Sequence, residues 1–520
     1  METKPLPSVA EYYAGKCMFI TGATGFIGKV LIEKLLRCCP GIKTIYMLMR
    51  PKKGQSIDER FQDLLHSRPF DKLWKERPDF HRVLHPIEGD IMEEKLGLKD
   101  RDSKLLSEEV EIVFHSAATI RFDEHIRLAV EMNVKAVRKM IILCRNFKKL
   151  EVFVHVSTAY ANCDRPFIEE NIYEPFVEPQ KIIDALDWMD DDMLSAITPK
   201  LLGQKPNTYT FTKQLAEYLL YKEGSDLPLA IVRPSIVGAA WKEPLPGWID
   251  NFNGPSGLYL AAGKGILRSV KCEFKAVADI VPVDIPVNLM ITVGWYTALV
   301  KPPSILIYHC TTGSVNPFTW GEMESIVLNF FKKTPLEAAF RRPNVTMTNN
   351  SFLHDYWVFV SHMIPAYLTD LGYSLLGKKP RMVKIYNRLH RTLGILTYFT
   401  CQSWEWTFNN PDMLKNQLSS EDRKIFYLDP RPLHWPRYIE NYCLGIKQFI
   451  LNEDMSGLPA ARAHLRKLRN IRYTFNTMLI VVFWRVLIAR SDLARNLWYL
   501  IMGLVSKFVK NFWITSTLRH

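Results

Sequence analysis

Paired cysteines are missing from this 520-residue chain. Its nine cysteines, at 17, 38, 39, 144, 163, 272, 310, 401 and 443, are odd in number. None forms a C-x-x-C with a second ligand pair at zinc spacing. That excludes a disulfide scaffold and a zinc module, and predicts scattered buried thiols in a reducing compartment. No His/Cys cluster suggests a metal. His115 and His155, just before strand ends, read as packed and hydrogen-bonded rather than catalytic. The opening "METKPLPSVAEYY" is polar and proline-bearing, so no secretory signal is expected. Internal repeats and low-complexity tracts are absent too. Acidic residues run out toward the end: from 461 to 520 there are eleven Lys or Arg and one acid, Asp492. Of the net charge of +13, +10 therefore belongs to the tail and +3 to the first 460 residues. The basicity is local, and no nucleic-acid partner is expected.

What is present is a globular composition, 48% apolar and 23% charged. At roughly 100–200 residues per domain the chain holds two or three. Residues 18–30 read "MFITGATGFIGKV". A short apolar strand, Met18 to Thr21, leads into Gly22, Gly25 and Gly28. Apolar residues at helical spacing follow, from Phe26 through Val30, Leu31, Leu35 and Leu36. Glycines allow a tight turn and close approach of a ligand to the backbone. A helix N-terminus facing that space suits a pyrophosphate. The spacing is G-x-x-G-x-x-G, so the turn alone decides little.

Its surroundings decide more. A second strand, in "TIYMLMRPKK", ends at Arg50 with Lys52 and Lys53 beside it. An arginine at this point accommodates a 2′-phosphate, where an acid would bind a ribose hydroxyl, which argues for NADP over NAD. A third strand, "VLHPIEGDI", delivers Asp90 and Ile91 to a loop. A fourth, "VEIVFHSAAT", ends in Ser116, Ala117 and Ala118, small enough for a backbone to run beside a cofactor. A helical stretch containing Asn133 follows, then a fifth strand, "LEVFVHVSTAY". Strands alternating with helices in this rhythm predict an α/β fold, a doubly wound parallel sheet of Rossmann type.

The fifth strand ends at Ser157 and Thr158. Farther on, "NTYTFTKQLAEY" sets Tyr209 and Lys213 four apart, on one face of a helix. A free phenol has a pKa near 10. A neighbouring ammonium is expected to lower it, giving a proton donor usable near neutrality. The Thr158 hydroxyl would bind the substrate oxygen where charge develops.

These residues resemble a known family. T-G-A-T-G-F-I-G, V-S-T-A and Y-x-x-x-K are similar to the extended short-chain dehydrogenase/reductases. More narrowly, "HSAATIRFDE", "HVSTAYANC", "RPSIVGAAWKEPLPGWIDNFNGPSG" and "ENYCLGIKQFILNEDMSGLP" resemble the alcohol-forming fatty acyl-CoA reductases of eukaryotes. The resemblance runs from about residue 12 to the tail. It implies NADPH-dependent conversion of a long-chain acyl-CoA to a primary alcohol. It also implies a cofactor site of Thr21, Gly22, Thr24, Gly25, Phe26, Ile27 and Gly28 at the pyrophosphate, with Arg50 at the adenosine phosphate. Asp90 and Ile91 would border the adenine, Ala117 and Ala118 the cofactor's flank, and Pro234, Ile236 and Val237 the nicotinamide. Tyr209 would be the general acid, Lys213 the ribose ligand and Thr158 the oxygen-binding hydroxyl. Asn133 would hold the active-site helix and a relay water. The insertion "EPQKIIDALDWMDDDM" either covers the site or is a solvated helix.

The expected division is 1–350 for the NADP-binding reductase domain, 351–470 for a helical domain capping an acyl tunnel, and 471–520 for a basic anchoring tail. The spanning helix is expected at about 473–489, "YTFNTMLIVVFWRVLIA", interrupted by Arg485. Five basic residues between 462 and 472 precede it, as on a cytosolic flank. "NLWYLIMGLVSKFVKNFWI" suits an interface better, so a pair of interfacial helices is the alternative. "TLRH" is not an S-K-L address. The family implies the peroxisomal membrane, with the endoplasmic reticulum second, and a homo-oligomer is compatible with it. The rival functions are a membrane-associated reductase or epimerase on a sterol or nucleotide-sugar, and a non-catalytic NADP-sensing module.

Overall fold

The structure, a computed structural model, describes residues 6–52 and 54–517, with side chains through 508. Lys53, part of the basic loop read beside Arg50, and the last residues of "TLRH" lie outside the described residues. Seven strands form one parallel sheet: β1 (Cys17–Thr21), β2 (Thr44–Met49), β3 (Leu84–Glu88), β4 (Ile112–His115), β5 (Val152–Val156), β6 (Leu229–Pro234) and β7 (Leu306–Cys310). They lie in the order β7-β6-β5-β4-β1-β2-β3. Cys17 stands opposite Thr44 on one side of β1, and Met18 opposite Ile112 on the other. The near-continuous apolar strands are explained by helices on both faces. On one face, α1 (Phe26–Cys38) and α4 (Asp284–Val300) bury Val30, Leu31 and Leu35 with Val287, Met290 and Ile291. On the other lie α2 (126–145) and α3 (Thr208–Glu223), through Val137, Met140, Leu215 and Leu219. Each such side chain contributes about 1.5–3 kcal/mol when fully buried.

After β1 the chain winds through β2 to β3, then returns to place β4 on the other side of β1. The order reverses there, and a crevice opens at the carboxyl ends of β1 and β4, where such sheets bind ligands. The α/β expectation holds.

The "EPQKIIDALDWMDDDM" insertion forms two helices, Pro179–Trp188 and Asp191–Leu202. They bury Ile182, Ile183, Leu186 and Leu194 in the core beside α2 and α3 and turn their acids outward. Arg127 holds Asp191 at 2.6 Å.

Beyond residue 350, helical turns from Ser351 to Leu375 lead to α5 (Met382–Thr400). The chain then comes back to the sheet domain. Glu405–Trp406 pairs in parallel with Phe167–Ile168, and Leu414, Leu418, Phe426 and Leu428 enter the core under α1 and α4. The helix α6 (Trp435–Gly445) sets Trp435 flat against Phe318, centroids 4.6 Å apart. Among the described residues, one helix is long and apolar enough to cross a membrane: α7 (Leu458–Arg490), with none of its apolar window buried. The final helix α8 (Asp492–Thr517) doubles back, bringing Trp498 to 6.0 Å from Trp484. All nine cysteines are free and seven are buried, as the odd count predicts.

Candidate active site

The glycine turn is built by its own backbone. Gly22 has φ +75°, and a Cβ there would sit 2.8 Å from Ser116 Oγ at the end of β4. At Gly28 a Cβ would fall 2.2 Å from the Gly22 carbonyl. Gly25 N donates to that same carbonyl at 2.9 Å and caps α1 without any side chain. The first N–H groups of α1 are thus left facing the crevice, a cradle that fits a pyrophosphate. Thr21 points elsewhere: its hydroxyl is fully buried, 2.7 Å from His115 Nδ1 and 3.3 Å from Ala117 N, and it ties the two strand ends together.

The end of β2 carries the charge. Arg50, 54% exposed, lies 3.1 Å from Asp90, whose other oxygen accepts from Met92 N. Ile91 is buried beside them. Arg60, which the sequence did not single out, donates to the Arg50 carbonyl and, at 3.0 Å, to Thr24 Oγ1. Two guanidiniums therefore flank the glycine turn at the end of β2. The "WKEPLPGWIDN" string covers its other side. Trp248 stacks on Phe26 at 5.1 Å, and Lys29 pairs with Asp250 at 2.9 Å. Ile236 and Val237 lie on the strand that follows Pro234.

At the end of β5, Thr158 opens a 3₁₀ turn. Its hydroxyl accepts from Tyr160 N and donates to the Pro234 carbonyl at the end of β6, both at 3.3 Å. The same hydroxyl lies close enough to the Tyr209 phenol to bear on its titration. Lys213, one turn on in α3, donates to the Val156 carbonyl at 2.8 Å. Thr158, Tyr209 and Lys213 thus meet at the carboxyl end of β5. Asn133 sits in a π-helical turn, Glu131–Lys135, inside α2. It accepts from Thr119 N and donates to Thr119 O and to Thr212 Oγ1, at 2.9–3.1 Å. It fastens the loop after β4 to α3.

One expectation is overturned. Burial pushes the Tyr209 phenol up to about 12; the Thr158 hydroxyl opposes this and the Glu217 charge adds to it. Burial also pushes the Lys213 ammonium down to about 8, against Glu217. The cation does not acidify the phenol: desolvation sets the direction, and the Lys213 ammonium is turned to the Val156 carbonyl. At neutral pH the phenol keeps its proton and can only donate it. Glu217 is itself held by Arg233 through two bonds of 2.7 and 2.9 Å. His115 is bonded as expected, but neither ring nitrogen of His155 has a partner among the described residues, and burial holds its pKa well below the usual value.

An aromatic wall completes the site. Phe122 stacks on Tyr209 at 5.6 Å and lies 5.3 Å from Phe399, near the end of α5. Behind it Trp404 donates to the Cys163 carbonyl at 2.8 Å and Trp406 to that of Ala159 at 3.3 Å. The turn that carries Thr158 is thereby clamped from the C-terminal region.

Fatty acyl-CoA reductase 1 of Homo sapiens is 54% identical over 513 residues, 99% of this chain and 100% of that one. The chain belongs to the fatty acyl-CoA reductase family. Fatty acyl-CoA reductase 2 of Mus musculus is 50% identical, over 98% of this chain and 99% of its own. Two family profiles, both described as male sterility protein, match residues 20–290, an NAD-binding part, and 361–453. The chain therefore carries an NAD(P)-binding domain. A solved structure, the terminal R domain of the myxalamid PKS-NRPS pathway, shares the fold at 21% identity. Its TM-score is 0.55, covering 85% of this chain and 93% of that one.

Arg60 and the aromatic wall are what this family member adds to the sequence reading. Arg60 lies ten residues after Arg50 on an ordinary amphipathic helix, Ile57–Leu65, and Phe399 lies 190 residues after Tyr209. Only the fold brings either to the site.

Proposed function

We propose that this chain reduces a long-chain fatty acyl-CoA to a primary alcohol, using NADPH and releasing CoA. The observation that carries the reading is the Thr158–Tyr209–Lys213 cluster at the mouth of the dinucleotide crevice, in a chain so like the fatty acyl-CoA reductases. When bound, NADPH would supply hydride, first to the thioester carbon and then to the aldehyde. Gly22, Gly25, Phe26, Ile27, Gly28 and the free N–H groups of α1 receive its pyrophosphate. Arg50 and Arg60 supply positive charge for a 2′-phosphate, Asp90 and Ile91 border the adenine, and Ala117, Ala118, Pro234, Ile236 and Val237 line the cofactor's path.

As the carbonyl oxygen gains charge, Tyr209 donates a hydrogen bond to it and transfers its proton, and the Thr158 hydroxyl turns from the Pro234 carbonyl to donate a second. A phenol at about 12 is a poor acid toward a carbonyl but a matched one toward an alkoxide, so transfer accompanies charge development. Lys213, held by the Val156 carbonyl, is the ribose ligand. The hemithioacetal collapses to aldehyde and CoA thiol, and a second hydride and proton give the alcohol. Asn133 keeps α3 in register with the loop after β4.

The proposed division is 1–350 for the reductase domain, 351–470 for the helical cap and 471–520 for the anchoring tail. The proposed home is the peroxisomal membrane, catalytic mass in the cytosol. The basic residues from Arg462 to Arg472 support that facing.

Full-length protein supplied with hexadecanoyl-CoA and NADPH tests the reaction. Thiol release with two NADPH oxidised per thiol is expected. No thiol, or one NADPH per thiol with aldehyde accumulating, overturns it. A sterol or nucleotide-sugar enzyme would release no thiol at all.

A further inference from the structure

The hairpin ahead of the active-site wall has an unusual surface. From Ser351 to Leu375 the chain runs through helical turns, and from Met382 to Thr400 through α5. Large apolar side chains on the first arm are turned to solvent: Phe352 is 83% exposed and Leu375 and Leu376 80% and 73%. Phe359, Leu368 and Leu371 are each more than half exposed. A monomeric soluble protein rarely leaves so continuous an apolar face uncovered.

Two further observations say what covers it. The hairpin tip follows Leu375 and Leu376 immediately and reads "GKKPRMVK". Lys378, Lys379, Arg381 and Lys384 are not ion-paired there among the described residues. Its nearby acid, Asp370, is turned inward to accept from the N–H groups of Arg381, Met382 and Val383. Apolar side chains beside unpaired cations suit the headgroup boundary of an anionic membrane.

The second observation is position. His362, in the middle of the first arm, accepts from Arg268 N at 2.9 Å. Arg268 in turn lies within electrostatic reach of Arg341 and Arg472. Arg472 is the residue before the exposed apolar run of α7. The first arm therefore lies near the start of the membrane helix.

We propose that the 351–384 hairpin is a second membrane-contacting surface, laying Phe359, Leu368, Leu371, Leu375 and Leu376 into an anionic bilayer with Lys378, Lys379, Arg381 and Lys384 on its phosphates. It goes beyond the anchor reading but rests on it. The two arms reach from the bilayer surface to the catalytic phenol. Its 19 residues make α5 about 28 Å long, and Phe399 at its far end meets the ring stacked on Tyr209.

The test uses the unmodified full-length chain in phosphatidylcholine–phosphatidylserine vesicles containing a phosphatidylcholine with a diazirine on its acyl chain. After illumination, lipid adducts are mapped by mass spectrometry. Adducts are expected on peptides from 351–376 and from α7, at least roughly tenfold above those on the peptide around Phe176, exposed on the reductase domain. Omitting phosphatidylserine, or changing Lys378→Gln with Lys379→Gln, should lower the hairpin adducts severalfold and leave those on α7. Adducts on α7 alone overturn the proposal; absence from α7 as well overturns the anchor reading. A detergent-solubilised dimer that Leu368→Asp with Leu375→Asp converts to monomer also overturns it, by assigning the face to a second copy.

Discussion

Along β1, β2 and β4 every side chain is shut away from water, whereas between Phe352 and Leu376 large apolar groups face outward on successive turns. The same residue types serve both regions. In the sheet their burial is completed by α1–α4, which hold the strand ends from both faces. In the hairpin the protein supplies only one side of the burial. The rigid region does chemistry; the half-buried one waits for a surface.

That contrast can be broken, and the largest effect is expected where tolerance is least. Gly28→Val pushes carbon into space already within 2.2 Å of the Gly22 carbonyl, so dinucleotide binding should vanish, read by quenching of protein fluorescence on NADPH titration. A tightly binding variant would show that the turn is not the pyrophosphate cradle. Next, Leu35→Ala in the shared core of α1 and α4 should cost about 2–5 kcal/mol in denaturant unfolding, while Leu371→Ala on the hairpin should change detergent-solubilised stability by less than about 0.5 kcal/mol. Equal effects would erase the distinction between the two regions.

The buried ammonium sharpens it further. Between about pH 8 and the ordinary lysine value the unfolded chain keeps a proton that folded Lys213 has released. Stability should therefore rise with pH through that window, by an amount on the order of 3 kcal/mol for a shift of this size. Below about pH 8 the penalty is constant. Lys213→Met should flatten the slope; an unchanged slope places its origin elsewhere. The smallest effect is expected at the rim. Arg60→Leu should weaken NADPH binding about tenfold and leave NADH binding unchanged, since a guanidinium bonded to Thr24 beside the turn would supply one charged hydrogen bond to the 2′-phosphate. Equal losses for both cofactors would make Arg60 a brace for the turn.

How far the sequence carried depended on the range of the interaction. The glycine turn was legible because close backbone approach admits no other residue at Gly22 and Gly28. Tyr209 and Lys213 were legible because helical spacing alone sets them on one face. The sign of the Tyr209 shift was not, because it depends on burial by tertiary packing and on Glu217. Arg60 and Phe399 were hidden for the same reason: each reaches the site through tertiary packing. The π turn at Asn133 has no local signature. The tail's basic flank and apolar run were readable, but not the return of α8 onto α7, where Trp498 meets Trp484.

The most direct measurement is thiol release by the Tyr209→Phe variant alongside its NADPH affinity. A phenyl ring keeps the stacking on Phe122 and removes only the hydroxyl with its proton. Turnover should fall roughly 10²–10⁴-fold while NADPH binds as before. Near-normal turnover in that variant would contradict the account, since the proton would then come from another group.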